Sequence, residues 1–187
     1  SARPVVAGLL HRHPELRIVV TSNSASGRSL ALGWGYDRLS VGFAPIDSKA
    51  AVRRFLDRAQ PRAVIIVENE IWPNRLFECA RRGTPVAIIG ARMSDRAARR
   101  WALLPGLAKR LFAVPAMVWT QDTATGPRLV ALGLPADRLG PVLSLKSLAK
   151  STAVTAPHPS LRDRTILAAS THEGEDEIVL TAFASVR

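Results

Sequence analysis

Ala63-Val64-Ile65-Ile66-Val67-Glu68-Asn69-Glu70-Ile71-Trp72-Pro73-Asn74 is the stretch that decides the fold class of this 187-residue chain. Its first five residues are apolar without alternation, the pattern of a strand buried on both faces of a parallel sheet. The run is far shorter than the roughly 18 apolar residues of a membrane span. Two carboxylates follow at once, and then Trp72-Pro73 opens a helix that Gly83 closes. Proline belongs in a first helical turn because its missing N–H has no partner to lose there. Strand, polar loop and helix in that order form one βα unit. In open α/β sheets, ligands bind outside the carboxyl ends of the strands. Glu68 and Glu70 are therefore placed to orient a hydroxyl, to stabilise positive charge or to act as a base. The alternative is local: Glu70 as an ordinary N-terminal helix acid and Glu68 as an exposed loop residue.

The same alternation extends in both directions. Strands are expected at Arg17–Thr21, Ser40–Phe43, Arg62–Val67, Val86–Ile89, Ala116–Thr120 and Thr165–Ala169, with a weaker candidate at Arg138–Leu143. Helices are expected at Ala2–Arg12, Ser26–Gly33, Asp47–Ala59 with Asp47 as its cap, Trp72–Arg82, Ser94–Trp101, Leu107–Ala113 and Asp122–Leu132. This order predicts an α/β fold with a doubly wound, Rossmann-like parallel sheet. Residues 1–147 form the expected domain. Residues 148–163, rich in Ser, Thr, Ala and Pro, form a linker. Residues 164–187 hold one strand and one helix start, too little to bury a core, and are expected to begin a second, truncated domain.

Lys and Arg number 26 against 15 Asp and Glu, a net charge of +11. Such a surface attracts anions: nucleic acid, phosphorylated lipid or nucleotide. Aromatics make up only 5% of the chain and the tryptophans lie apart from the basic clusters, which speaks against a nucleic-acid stacking platform. A single cysteine, Cys79, excludes an internal disulfide framework and CxxC-type zinc sites. Ala2–Leu10 and Trp101–Phe112 mix apolar and basic residues, as an interfacial contact would, or they pack on the sheet.

Three further segments follow strands. Thr21-Ser22-Asn23-Ser24-Ala25-Ser26-Gly27 either cradles a phosphate or sugar or serves only as capping and turn chemistry. Arg92 can bind a phosphate or carboxylate bidentately, or stand as a surface arginine beside the cap Ser94. Ser170-Thr171-His172-Glu173-Gly174-Glu175 offers His172 as a proton or phosphate donor, or as a structural histidine.

Taken in order, these segments resemble the bacterial Kdo transferases, which move 3-deoxy-D-manno-octulosonic acid (Kdo) onto lipid A precursors. Thr21-Ser22-x-Ser24-x-Ser26-Gly27 is similar to the family's Thr-Thr-x-Thr-Pro-Thr-Gly, and Pro45-x-Asp47 to its Pro-Tyr-Asp. Glu68-Asn69-Glu70-Ile71-Trp72-Pro73-Asn74 is similar to Glu-Thr-Glu-Leu-Trp-Pro-Asn. Ala91-Arg92-Met93-Ser94 matches Ala-Arg-Leu-Ser, and Ser144-Leu145-Lys146 matches Ser-Leu-Lys. Ala169 to Glu175 is similar to a segment that opens the family's C-terminal domain.

The resemblance implies the N-terminal, acceptor-binding half of a GT-B glycosyltransferase, with a CMP-Kdo donor domain after it. It implies inverting transfer from CMP-Kdo to lipid IVA without a metal or other cofactor, on the cytoplasmic face of the inner membrane. The implied base is a Glu of a Gly-Glu motif that would fall about three residues upstream of Ser1, so the chain alone is expected to be inactive. Glu68 and Lys146 carry over as stabilisers of the transition state. Substrate contacts are expected at Ser22, Ser24, Ser26, Gly27, Glu70, Asn74, Arg92 and Ser94, and donor contacts at Ser170, Thr171, His172 and Glu173. The implied partners are CMP-Kdo, the lipid A precursor and the anionic membrane surface, not nucleic acid. A non-catalytic module that binds anionic glycolipid is the alternative.

Overall fold

The computed structural model describes residues 2–68, 71–145 and 173–185. The chain divides into two units, residues 1–150 and 151–187. In the first, helices and strands alternate: α1 (Arg3–Arg12), β1 (Ile18–Ser22), α2 (Ala25–Leu32), β2 (Leu39–Phe43), α3 (Lys49–Ala59), β3 (Val64–Val67) and α4 (Pro73–Arg81). There follow β4 (Val86–Ala91), α5 (Asp95–Ala102), α6 (Pro105–Phe112), β5 (Met117–Thr120), α7 (Thr125–Ala131) and a 3-10 turn at Ala136–Arg138. In the second unit the described residues form one helix, α8 (Glu175–Ser185). The expected strand at 165–169 lies outside the described residues.

All strand pairs are parallel, as the apolar runs predict. β1 lies beside β2 with Ile18 opposite Leu39. β4 lies between β3 and β5, with Val64 opposite Val86 and Ile88 opposite Val118. The expected single sheet is in two parts among the described residues, because no ladder joins β1 or β2 to β3. The weak strand candidate at 138–143 contributes one parallel bridge, Val118 to Leu139. Its start is taken by the 3-10 turn, which follows Pro135.

One continuous core lies around β3, β4 and β5. Val52 and Leu56 of α3, Leu76 and Cys79 of α4, and Leu111 and Phe112 of α6 meet Ile66, Val86, Ile88 and Val118 there. Trp101 packs edge-on against Phe112, with ring centroids 5.5 Å apart. Burial pushes the Cys79 thiol up from its ordinary value, despite the guanidinium groups of Arg75 and Arg82.

Some arginines hold the fold together through hydrogen bonds and ion pairs. Arg38 donates to the carbonyls of Leu10, His13, Pro14 and Leu16, tying β2 to the end of α1 and the turn after it. The nearly buried Glu78 carboxylate accepts from Arg53 and Arg81, each at 2.9 Å. Burial works against its ionisation, but the two guanidinium hydrogen bonds outweigh it and hold the carboxyl below its ordinary value.

Candidate active site

Parallel strands deliver their carboxyl ends to one edge, and most of the described candidates sit on it. Ser22 ends β1, Glu68 follows β3 and Arg92 follows β4. The loops after β1, β2 and β3 border an open cavity of about 430 Å³. Its lining includes Ser22, Asn23, Phe43, Ile46, Asp47, Trp72 and Arg75. The apolar side chains at its mouth stay open to solvent: Phe43 is 57% exposed, Ile46 75% and Trp72 41%. The Arg28 guanidinium lies 5.2 Å from the Phe43 ring centroid, a cation–π contact. The buried Nε of Arg75 has no hydrogen-bond partner among the described residues. The site thus combines an apolar rim, hydroxyl and carboxylate groups, and cationic charge.

Asp47 joins the two sheets' loops. Its Oδ1 accepts from the Arg75 N–H at 2.9 Å and its Oδ2 from the Asn74 N–H at 3.1 Å, so it caps α4 rather than its own helix. This corrects the expected Asp47 cap on α3; Ser48 fills that place and accepts from the Ala51 N–H. The reason is the helix start: Pro73 leaves the next two N–H groups of α4 exposed, and a carboxylate is their strongest acceptor. The Asn74 amide returns a hydrogen bond to the Asp47 carbonyl at 2.6 Å. Asn74, expected at the substrate, thereby spends its amide on Asp47, which lines the cavity, and is not itself part of the lining.

The serine loop is built as a capping turn. Ser24 accepts from the Gly27 N–H at 3.1 Å, and its own N–H donates to Ser22 Oγ at 3.2 Å. Ser26 donates to Ser24 Oγ at 3.4 Å. The cap is Ser24, two residues earlier than the expected helix start. A Cβ on Gly27 would run into the Ser22 and Ser24 hydroxyls, so glycine is needed for close approach. Of these residues, Ser22 reaches the cavity.

Glu68 is exposed and sits outside the cavity lining. Its backbone is left-handed, with φ of +64°, while its N–H still donates to Ile89 O at 2.9 Å. A left-handed glutamate costs of the order of 1 kcal/mol, and such strain clusters at functional sites. Gly90 faces it where the β4–β5 register shifts: a Cβ there would come within 3.3 Å of Leu145 and 4.0 Å of Glu68. Gly90 has φ of +67°, so both the twist and the space favour glycine.

Ser94 caps α5 by accepting from the Ala97 N–H at 3.2 Å. Beside it, Arg128 donates to the Met93 carbonyl at 2.7 Å and pairs with Asp95. The buried Thr125 hydroxyl accepts from the Met93 N–H at 3.0 Å. Burial opposes ionisation of Asp122, but hydrogen bonds from Thr125 and Ala124 prevail and hold its carboxyl below the ordinary value. This cluster holds the 92–94 loop in place, and Arg92 itself is exposed. Glu173 is exposed just ahead of α8. Glu70, Lys146, Ser170, Thr171 and His172 lie outside the described residues.

Phe43, Ile46, Arg28 and Arg75 were not expected at the site. The signal for the first two was the apolar run Phe43-Ala44-Pro45-Ile46 ahead of Asp47. Nothing in the sequence marked the arginines.

A parallel α/β domain with polar loops and an open cavity at its strand ends belongs to the Rossmann-like class. The family it falls in is equally definite. The model of the 3-deoxy-D-manno-octulosonic-acid transferase (kdotransferase) family matches residues 1–149, and the chain belongs to that family. It is 31% identical over 187 residues to the 3-deoxy-D-manno-octulosonic acid transferase of Haemophilus influenzae, covering 96% of this chain and 44% of that protein. To the enzyme of the same name from Bordetella pertussis it is 30% identical, covering 100% of this chain and 45% of that one. The chain therefore spans less than half the length of these relatives. Among solved structures, a UDP-N-acetylglucosamine 2-epimerase from Rickettsia bellii matches with a TM-score of 0.49 and 16% identity, over 75% of this chain and 41% of that one.

Proposed function

We propose that residues 1–147 form the acceptor half of a two-domain, inverting GT-B enzyme that transfers Kdo from CMP-Kdo to lipid IVA. In this proposal residues 148–163 are the linker and the donor half begins after them. The glucosamine 6-hydroxyl of the acceptor attacks the Kdo anomeric carbon. A new carbon–oxygen bond forms, the bond from that carbon to the phosphate oxygen breaks, and CMP departs with the electron pair. The hydroxyl proton passes to the carboxylate base of the family's Gly-Glu motif. Glu68 and Lys146 stabilise the charge that develops during the transfer.

The observation that carries the proposal is the cavity between the loops after β1, β2 and β3. Its lining comes from the matched serine, Pro-x-Asp and Trp-Pro-Asn segments, and its mouth is apolar and cationic. A phosphorylated, acylated sugar presents the complementary set: hydroxyls, negative charge and hydrocarbon. The membrane-facing location follows, since such an acceptor is held in a bilayer, for which we propose the cytoplasmic leaflet of the inner membrane.

The test is Kdo transfer by the complete protein. Glu68→Ala and Lys146→Ala are each expected to lower kcat at least about a hundredfold, the usual scale for a lost transition-state contact. Unchanged turnover in either variant removes that residue from the mechanism. Tight binding of lipid IVA with no transfer by the complete protein would favour the binding-module alternative.

A further inference from the structure

Three segments meet at an irregular point of β4. Ile89 stands opposite Trp119 and Ala91 opposite Thr120, so no residue of β5 stands opposite Gly90 between them. Such a bulge bends its strand and re-aims the neighbours, and bulges recur beside active sites. Gly90 is left-handed, with φ of +67°, a conformation that glycine adopts without steric cost. The residue before it ties down the end of β3: the Glu68 N–H donates to Ile89 O at 2.9 Å, and Glu68 is itself left-handed.

The third segment closes on the same glycine. After the 3-10 turn the chain runs along β5, where the Gly140 N–H donates to Val118 O at 2.8 Å and the Leu143 N–H to Thr120 O at 2.7 Å. Leu145 then reaches across to β4. Its side chain is 3% exposed, and its Cδ1 lies 3.3 Å from where a Cβ on Gly90 would stand. The Glu68 Cγ lies 4.0 Å from the same point. The bare Cβ position is thus bordered by both loops that carry the proposed transition-state contacts, since Leu145 directly precedes Lys146 in the sequence. Gly83 gives the contrast. Its φ is also +67°, yet a Cβ there would meet nothing within 4 Å. It lies between α4 and β4, at the opposite end of the strand from Gly90. At Gly83 only the backbone angle asks for glycine, whereas at Gly90 the space asks for it too.

We infer that Gly90 is a positioning residue: its bulge, bare of a side chain, is the seat that holds Glu68 and Leu145 at the spacing the proposed transfer needs. Gly90 has no group that can act on a substrate, so it acts through what rests on it. A left-handed glutamate is uncommon and persists only where its surroundings hold it. Those surroundings include the Ile89 carbonyl, the bare Gly90 and the buried Leu145. A methyl group on Gly90 would push Leu145 aside by a few tenths of an ångström, and Glu68 borders the same space. Shifts approaching this scale matter to transfer, because a misplacement of about 1 Å can cost about a hundredfold in rate. The inference rests on the proposed role of Glu68 and goes beyond it in naming what sets that group's place.

The experiment compares Gly90→Ala with Gly83→Ala in the complete protein, because both alanines carry the same left-handed penalty and only the first meets neighbours. Kdo transfer from CMP-Kdo to lipid IVA is measured, and amide hydrogen exchange at Glu68 is followed without substrates. Gly90→Ala is expected to lower kcat about tenfold or more, with KM for either substrate within about twofold, and to speed exchange at the Glu68 amide. Gly83→Ala should leave kcat within about twofold and that exchange unchanged. In a Glu68→Ala background, Gly90→Ala should cost less than in the wild type, since the seat has lost one of its occupants. Leu145→Ala disturbs the seat without a backbone penalty and should likewise lower kcat and speed exchange at Glu68. Equal kcat for the Gly90 and Gly83 variants, the same fold-loss from Gly90→Ala with and without the Glu68 carboxylate, or full activity of Leu145→Ala would each overturn the inference. The exchange measurement does not depend on turnover. If the unaltered protein transfers no Kdo, the proposed function fails; unchanged exchange at Glu68 in Gly90→Ala then overturns the seat as well, and faster exchange upholds it.

Discussion

The two sheets of the domain are built from the same kind of apolar strand, yet they end in different surroundings. β3, β4 and β5 share a core in which Val86, Leu111 and Val118 are at most 1% exposed. β1 and β2 bury little: Val19 remains 50% exposed and Phe43 57%. What holds this first part together is more polar. Arg38 grips four backbone carbonyls, and Asp47 reaches across to the N-terminus of α4. One part of the domain has the larger packed core; the other buries a smaller set, Val6, Leu10 and Ala31, and adds directed hydrogen bonds. The cavity lies where the two meet, so rigid packing supports one side of it and an exposed apolar rim forms the other.

The largest effect should come from opening the packed part. Leu111→Ala removes a fully buried side chain from the centre of the core. A loss of about 2–5 kcal/mol is expected, measured by urea denaturation. A loss below about 1 kcal/mol would mean that the core is less continuous than the contacts indicate. Asp47→Ala strikes the joint between the two parts. It strips the acceptor from two N–H groups at the start of α4 and should cost about 1–2 kcal/mol. Asp47→Asn, which retains one acceptor oxygen, should recover part of that loss.

A smaller effect, confined to acid, comes from a nearly buried carboxylate of the packed part. Glu78 titrates below its ordinary value of 4.5 in the folded chain. As pH falls, the unfolded chain takes up this proton first. The stabilisation is therefore fully present above about 4.5 and is lost as pH drops through the lower folded value. Glu78→Gln should flatten the acid limb of a plot of denaturation midpoint against pH. An unchanged limb would show that Arg53 and Arg81 do not favour the ionised carboxylate.

How much of this was legible before the structure depended on how local the cause is. Val64–Val67 was readable as a strand because burial on both faces demands unbroken apolarity. Helix ends were readable where the cap is a neighbour, as with Ser94. Asp47 was misassigned because its partners, Asn74 and Arg75, lie 27 and 28 residues away. A capping carboxylate has the same sequence signature whichever helix it serves. The Arg38 clamp was invisible for the same reason, since carbonyl acceptors carry no side-chain signal. The break between the sheets was also hidden: hydrophobic pattern selects strands, whereas which strands pair is a matter of topology. At the site, the motifs located Ser22, Glu68 and Arg92 on one edge. They gave no hint that Glu68 is left-handed, a conformation that glutamate seldom adopts. Nor did they show that Asn74 is engaged with Asp47.

The smallest effect sharpens the contrast most. Val19→Ala trims a strand residue of β1 as apolar as any in β3–β5, but half of its surface already faces solvent. The methyl groups lost were only partly removed from water, and no sealed cavity is left behind. What remains is a weaker preference for extended backbone, which together with the lost contact amounts to below about 1 kcal/mol. Val118→Ala makes the same chemical change at a residue that is 1% exposed. There the lost transfer energy and the new void add, and about 2–3 kcal/mol is expected. Equal costs for the two valines would mean that Val19 is covered in solution and that the first sheet is as deeply packed as the second. A difference of the expected size would show that one substitution reads burial in both parts of the domain, and that β1 and β2 owe their placement chiefly to Arg38 and Asp47.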